Sequence, residues 1–429
     1  MHGRDISGKF VFEPPEAEPA QSALYDEHLK LTKRSHIAPF AGYLMPLWYS
    51  SISAEHAAVR NAAGLFDCTH MGVLEVSGSD ATAFLDSITT NNVATLEVGR
   101  ARYSYILDAA GNILDDIIIY AIAADKYMVV VNAANEPKIK AYIEALTAGK
   151  AVIDAQSPEE QLRFKPVIRD MKDPQSVLES RVDLALQGPA STHILVSLID
   201  DSSTCEHLSA LKPFRIISAQ VAGLDCLVSR TGYTGAKVGF ELFVHPNQAP
   251  QLWNALLAAG EKSGLLPCGL GARDSLRIEA GLPLYGHELA GDHNISPFEA
   301  GYGWAVKLQK DFFIGKPAMQ QNSDTFDMNV VRIEFSGARG VRPVRQNDPV
   351  LDEKGACIGW VLSSAKAGET QVSLAFVQKD AATENDPVGL YYLARSQGQI
   401  AQGRRQNVEK QQVVEPDITG AVVSRFAKF

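Results

Sequence analysis

Short apolar runs rich in Val, Ile and Tyr in GVLEVSG (72–78), ARYSYILD (101–108), ILDDIIIYAI (113–122) and KYMVVVNAAN (126–135) read as strands. DATAFLDSIT (80–89) and NEPKIKAYIEALTA (135–148) have helical spacing instead. Strands come in groups rather than in strict alternation with helices, which predicts an α+β fold with antiparallel strands and not a doubly wound parallel sheet. VDLALQGP, LDCLVSRTGYTG and VGFELFVHP continue the strand pattern, and APQLWNALLAAGEKSG and ARDSLRIEAG the helical one. A polar stretch at 155–181 predicts an inserted loop, and residues 1–20, rich in Pro and Glu, predict a flexible arm. Composition turns polar again at 320–329; beyond it VVRIEFSG, ACIGWVLSS, QVSLAFV and GLYYLAR predict a small all-β domain over 330–429, which leaves 21–329 as the main α+β region.

One strand conflicts with its own pattern. GNILDDIIIY (111–120) seats Asp115 and Asp116 among isoleucines and leucines. Strict alternation puts Ile113, Asp115, Ile117 and Ile119 on one face and Leu114, Asp116, Ile118 and Tyr120 on the other. At least one carboxylate then lies on a largely apolar face, at a cost of several kcal/mol unless it is hydrogen-bonded. The structural reading has Asp115 facing water and Asp116 capping a turn, with Gly111 and Asn112 in a hairpin connection. The functional reading has a carboxylate kept for a ligand.

Composition narrows the class. The chain has 429 residues, 46% hydrophobic and 21% charged, room for two or three domains with proper cores. No apolar run approaches the ~20 residues needed to span a bilayer, and the first twenty residues are too polar for a signal peptide. Five scattered cysteines (Cys68, Cys205, Cys226, Cys268 and Cys357) form no CxxC pair, which predicts a reducing, cytoplasmic compartment and no structural metal. A net charge of -10 argues against nucleic-acid binding, so an anionic ligand would rely on a few local arginines.

SRTGYTGAKVGFEL (229–242) carries three glycines but lacks the lysine and hydroxyl of a P-loop; it reads better as a tight hairpin in which glycine permits close ligand approach. Glu241 follows on a strand, sharing a face with Gly239 and Phe243, where a carboxylate could accept two donors from an amidine-like ring edge or simply be solvated. In GLGARDSLRIEAGLPLYGHEL (269–289), Arg273 lies in the first helical turn, where its charge opposes the helix dipole and hints at an external anion; Arg277 can pair with Asp274 at i,i+3. HELAGDH is no zinc motif, because Gly291 stands where a second histidine would be needed. His70 and His287 read as core or hydrogen-bonding residues, and no Ser or Cys has a nucleophile's context.

FAGYLMPLWYSS, EHAAVRNAAGLFDCTHMG, GNILDDIIIY, VVVNAAN, LALQGP, SRTGYTG, GFELFV, PCGLGARDSLRIEAGLPLYGHEL and SPFEAGYGWAVKLQKDFFIGKPAM, taken together and in this order, resemble the aminomethyltransferase (T-protein) family of the glycine cleavage system. The likeness runs from about residue 22 onward and is dense up to about 320. It implies a three-domain folate-binding fold around a central ligand hole, with two intertwined α+β domains over 21–329 and a C-terminal β-barrel. It implies catalytic roles for Asp116 and Arg345, and a tetrahydrofolate lining of Tyr103, Asp116, Tyr120, Val130, Asn132, Tyr233, Glu241, Arg273 and Tyr285. Tetrahydrofolate would be co-substrate and lipoylated H-protein the partner, without metal, flavin, nucleic acid or membrane.

The chain departs from the family pattern at Asn92, usually an aspartate, in LSSAKAGETQ (362–371), and in the arm and insert. A related reading keeps the fold and folate but demethylates a small methylated compound such as dimethylsulfoniopropionate; those relatives generally lose the second aspartate of LDD, kept here as Asp116. Folate-binding iron–sulfur assembly factors carry a KGCYxGQE stretch, and LPLYGHEL lacks its cysteine. Flavin-linked relatives need an attached dinucleotide domain.

Overall fold

The computed structural model describes residues 8–173, 179–323, 325–335, 342–368, 370–427 and 429. Residues 1–7 of the predicted arm and 174–178 of the predicted insert lie outside them. The chain divides into two compact units, the first drawn from residues up to 232, 236–272 and 304–322, the second from 233–235, 273–303 and 323 onward.

Among the described residues, two sheets dominate the first unit. One has the order Ala101–Leu107, Ile113–Ala123, Lys126–Val131, Gly72–Ser77, Val167–Asp170, and every pairing in it is antiparallel. The other runs Ile216–Val221, Leu224–Ser229, Gly239–Val244, Val182–Gln187, Ala63–Asp67, Leu265–Cys268, the last joined in parallel. The helices Ala81–Ile88 and Glu136–Thr147 bury Phe84, Leu85, Ile139, Tyr142 and Ile143 against Ile117, Ile119, Val129 and Val131 of the first sheet. Its opposite face presents Val73, Tyr120, Met128 and Val130, which cluster with Ile216 and Phe243 of the second sheet. A sheet buried on both faces explains why its central strands are rich in Val and Ile.

The insert is not wholly a loop. Val167–Asp170 pairs with Gly72–Ser77 as an edge strand, and its alternating exposed side chains hide it from a hydrophobic pattern search. The arm touches the body as well: Phe10 packs on Tyr142 at 4.7 Å and donates its backbone N–H to Asp108 Oδ2 (3.2 Å).

In the second unit, the strands Met328–Phe335, Thr370–Gln378, Cys357–Ala367, Pro349–Leu351, Pro387–Leu390 and Ile418–Val423 close into a barrel in that order. Ile333, Phe335, Val350, Val361, Val377, Leu390 and Val422 fill it. A buried ion pair belongs to the same unit: Arg277 donates to Glu288 Oε2 (2.6 Å) and to Asp274 Oδ1 (2.8 Å), and the Ser363 hydroxyl donates to Glu288. Burial works against the Arg277 charge, but Glu288, with Tyr233 and Asp274, outweighs it and raises the pKa.

Candidate functional site

The aspartate strand, Ile113–Ala123, follows a turn in which Gly111 adopts φ 84° and donates to the Asp108 carbonyl (3.0 Å). Ile106 pairs with Asp115 but Leu107 pairs with Ile113, so Leu114 is a bulged residue. It packs in the cluster of Ile117 and Ile119, which corrects the strict alternation that grouped it with Asp116.

The structural reading of the two aspartates also fails. Asp115 does not face water: its exposure is 0%. Asn132 gives it the backbone N–H on Oδ2 (2.9 Å) and Nδ2 on Oδ1 (2.8 Å), and Asn135 Nδ2 adds a third bond to Oδ1 (2.6 Å). Asp116 caps no turn. It is half-buried on the other face, where Tyr103 donates its hydroxyl to Oδ2 (2.9 Å) and Asn132 Nδ2 reaches Oδ1 (2.8 Å). Burial raises the pKa of both carboxylates, and the Asp116 charge raises Asp115 further. The sequence marked Asp115 as out of place but turned it toward water, and gave it no role. Ile118 opposes Val130, so two residues further along the same register Asn132 stands beside Asp116.

Tyr120, two side chains along from Asp116 on the same face, is fully buried and donates to Glu241 Oε2 (2.9 Å); the Thr231 hydroxyl donates to the same oxygen. Burial and the Glu241 charge hold the Tyr120 phenol well above its usual pKa, so it remains a donor. An ionised carboxylate has about four acceptor positions. Among the described residues two of those on Glu241 are taken, both on Oε2, and Oε1 is left for another donor. Asp116 and Tyr120, four residues apart at ~3.3 Å rise, are separated by about 13 Å of strand, floored by Ile118, Val130 and Phe243. Tyr103, Asp116, Asn132, Tyr120, Val130 and Glu241 are thus assembled within the first unit.

Two glycines of the loop make a close approach within the protein. A Cβ on Gly232 or Gly239 would run into the Gln187 amide, which donates to the Thr231 carbonyl (3.2 Å).

In the second unit Arg273 lies over the Tyr233 ring (5.1 Å), and the Tyr233 hydroxyl donates to the Pro283 carbonyl (2.5 Å). Tyr285 is half-buried, its backbone bridged to Leu289. Arg345 has an exposed side chain and donates its backbone N–H to Asp348 Oδ2 (2.9 Å).

A cavity of about 410 Å³ opens in the first unit beside Tyr103, walled by Trp304, Phe214, Arg102, Asn92 and Lys307. Trp304 and Phe214 are 52% and 45% exposed, large values for aromatic side chains, and the Trp304 ring leans on Tyr103 at 5.8 Å. Neither Trp304 nor Phe214 was marked by the sequence reading. Among the described residues no group of three or more His, Cys, Asp or Glu could hold a metal ion, and no helix is long and apolar enough to cross a membrane.

The family model for the GCVT N-terminal domain matches residues 24–310. An aminomethyltransferase of Streptomyces avermitilis is 42% identical over 345 residues, 80% of this chain and 85% of the relative. One of Symbiobacterium thermophilum is 44% identical over 363 residues, 83% of this chain and 89% of the relative. The crystal structure of the glycine cleavage system aminomethyltransferase T from Bartonella henselae matches with a TM-score of 0.73 at 28% identity, covering 94% of this chain and 97% of that one.

Proposed function

The chain belongs to the aminomethyltransferase family that carries the GCVT N-terminal domain, and from that premise we propose that it is the tetrahydrofolate-dependent T-protein of a glycine cleavage system. It takes the aminomethyl group from the dihydrolipoyl arm of H-protein, releases ammonia and leaves 5,10-methylenetetrahydrofolate, acting in the cytoplasm. The observation that carries this reading is the half-buried Asp116, oriented by Tyr103 and Asn132 on the strand face that leads to the Tyr120–Glu241 pair.

Each residue has work that follows from its contacts. Glu241, with Oε1 open, accepts the amino edge of the pterin in a charge-assisted bond. Val130, Ile118 and Phe243 give the ring an apolar floor that keeps water, and hence hydrolysis of the one-carbon unit to formaldehyde, away. Asp116 orients the reacting nitrogens and stabilises positive charge that grows on them, or takes the proton they lose. Holding both reactants in register can supply ~7 to 11 kcal/mol of the barrier, so positioning carries much of the rate. The cavity beside Tyr103 supports an aromatic, anionic co-substrate, since Trp304 and Phe214 offer ring faces and Arg102 and Lys307 offer charge. Tyr233, Arg273, Tyr285 and Arg345, in the second unit, are assigned to folate and its reaction by family resemblance, and substitution tests each.

Purified protein given aminomethylated H-protein and tetrahydrofolate should form methylenetetrahydrofolate and ammonia. Inertness toward H-protein together with demethylation of a small onium compound would replace this reading with that of the demethylase relatives.

A further inference from the structure

We propose that Asp115 is a positioning residue for the transfer: its carboxyl group holds the Asn132 amide so that Asp116 is presented in one orientation. This rests on the reading of Asp116 as the catalytic carboxylate.

The hydrogen bonds around Asp115 all come from N–H groups: the Asn132 backbone, Asn132 Nδ2 and Asn135 Nδ2. A carboxylic acid there would have to turn its own O–H toward a donor, so the anion fits and the acid does not. Asn135 precedes the helix Glu136–Thr147, whose N-terminal dipole also favours negative charge. Lys138, on that helix, is the cation facing the site; burial lowers its pKa and the Asp115 charge works to restore it.

Asn132 is the coupler. Its Nδ2 has two hydrogens and three oxygens around it, Asp115 Oδ1 (2.8 Å), Asp116 Oδ1 (2.8 Å) and the Asp116 carbonyl (3.1 Å), so acceptors alone fix which way the amide points. Asp116 differs from its neighbour in having a hydroxyl partner. Tyr103 can donate to the carboxylate or rotate to accept from the acid. A buried carboxylate and its half-buried neighbour resist carrying two charges. The N–H groups facing Asp115 favour a charge there, and any charge held on Asp115 raises the proton affinity of Asp116 toward working pH, where a base is most effective.

The test is the pH profile of methylenetetrahydrofolate formation by Asp115→Asn, Asn132→Ser, their double variant and Asp116→Asn. Asp115→Asn should lower kcat about tenfold, less than the ~100-fold lower range for losing the base itself, with little change in KM for folate. Its acid limb should move to lower pH, because the neighbouring charge is gone. On the pH plateau, where the charge effect drops out, the double variant should lose no more kcat than Asn132→Ser alone, since both orient Asp116 through one amide. A folded Asp115→Asn enzyme with an unmoved acid limb, or losses that multiply in the double variant, would overturn the inference. Should Asp115→Asn fail to fold, Asn132→Ser carries the test: Asp116 loses a donor, kcat falls and the acid limb moves to higher pH, and an unchanged profile refutes the coupling. Full activity in Asp116→Asn would instead sink the underlying reading, whereas an inactive Asp116→Asn beside wild-type profiles for the other two sinks this inference only.

Discussion

Asn in place of Asp116 keeps the side chain's volume and removes its charge. Turnover should fall at least ~100-fold, the lower range for losing a positioned acid or base, while the melting curve stays close to wild type because the residue is only half-buried. Activity within about threefold of wild type would take Asp116 out of the mechanism. Glu241→Gln should weaken tetrahydrofolate by about 10- to 100-fold in calorimetry, since a hydrogen bond to a charged group contributes ~1.5 to 3 kcal/mol. Tyr120→Phe, which removes a donor from Glu241 Oε2 and not from the ligand, should do less. The placement of Asp116 with Tyr120 was legible in the sequence, because alternation holds from 116 to 120. Leu114 was not, because a bulge depends on its partner strand, and neither were the donors to Asp115, which come from a turn 17 and 20 residues further along.

At the level of elements, the helix Tyr25–Leu31 is pinned by a buried cluster. His28 Nε2 meets Asp67 Oδ2 (2.7 Å), Ser22 donates to the same oxygen (2.7 Å), and Tyr49 meets His28 Nδ1 (2.8 Å). Burial pushes Asp67 up, but the bond to His28 and its charge, with His70 and the Thr69 N–H, bring it down to about 2. A carboxyl lowered by folding stabilises the protein above its ordinary pKa of ~4, and that contribution is lost as pH falls toward about 2. His28→Ala should therefore cost ~3 to 5 kcal/mol near neutral pH, the range for breaking a buried pair. Urea melts should also show the gap to wild type narrowing as pH falls below 4, in step with that window. A gap independent of pH would mean that His28 contributes packing alone. Long elements rich in apolar residues, such as Ile113–Ala123 and Glu136–Thr147, were legible. The edge strand Val167–Asp170 was not, since a strand with solvent on alternate side chains and few apolar residues has no periodic signature.

Across the whole molecule, charge governs encounter. With -10 overall, the chain would repel an acidic partner at long range, so docking of the proposed H-protein, if acidic, would need a local basic patch. Lys33 and Arg34 are exposed at the end of the helix Tyr25–Leu31, whereas Lys30 is engaged with Glu27 at 2.7 Å. Reversing the charge of Lys33 and Arg34 together should raise the apparent KM for aminomethylated H-protein several-fold at low salt and leave folate affinity unchanged. The difference should fade as salt rises, since the Debye length is ~8 Å at physiological ionic strength. An unchanged KM at low salt would exclude this surface. The barrel was legible as a run of short strands, but not its closure, in which Ile418–Val423 pairs with both Met328–Phe335 and Pro387–Leu390. The last strand thus joins the first strand of the barrel to the one just before itself. A chain interrupted before Ile418 would not be a barrel with a nick but an open sheet with two bare rims, and bare rims recruit strands from other molecules. Truncation there should produce self-associating aggregates rather than a shortened, soluble enzyme.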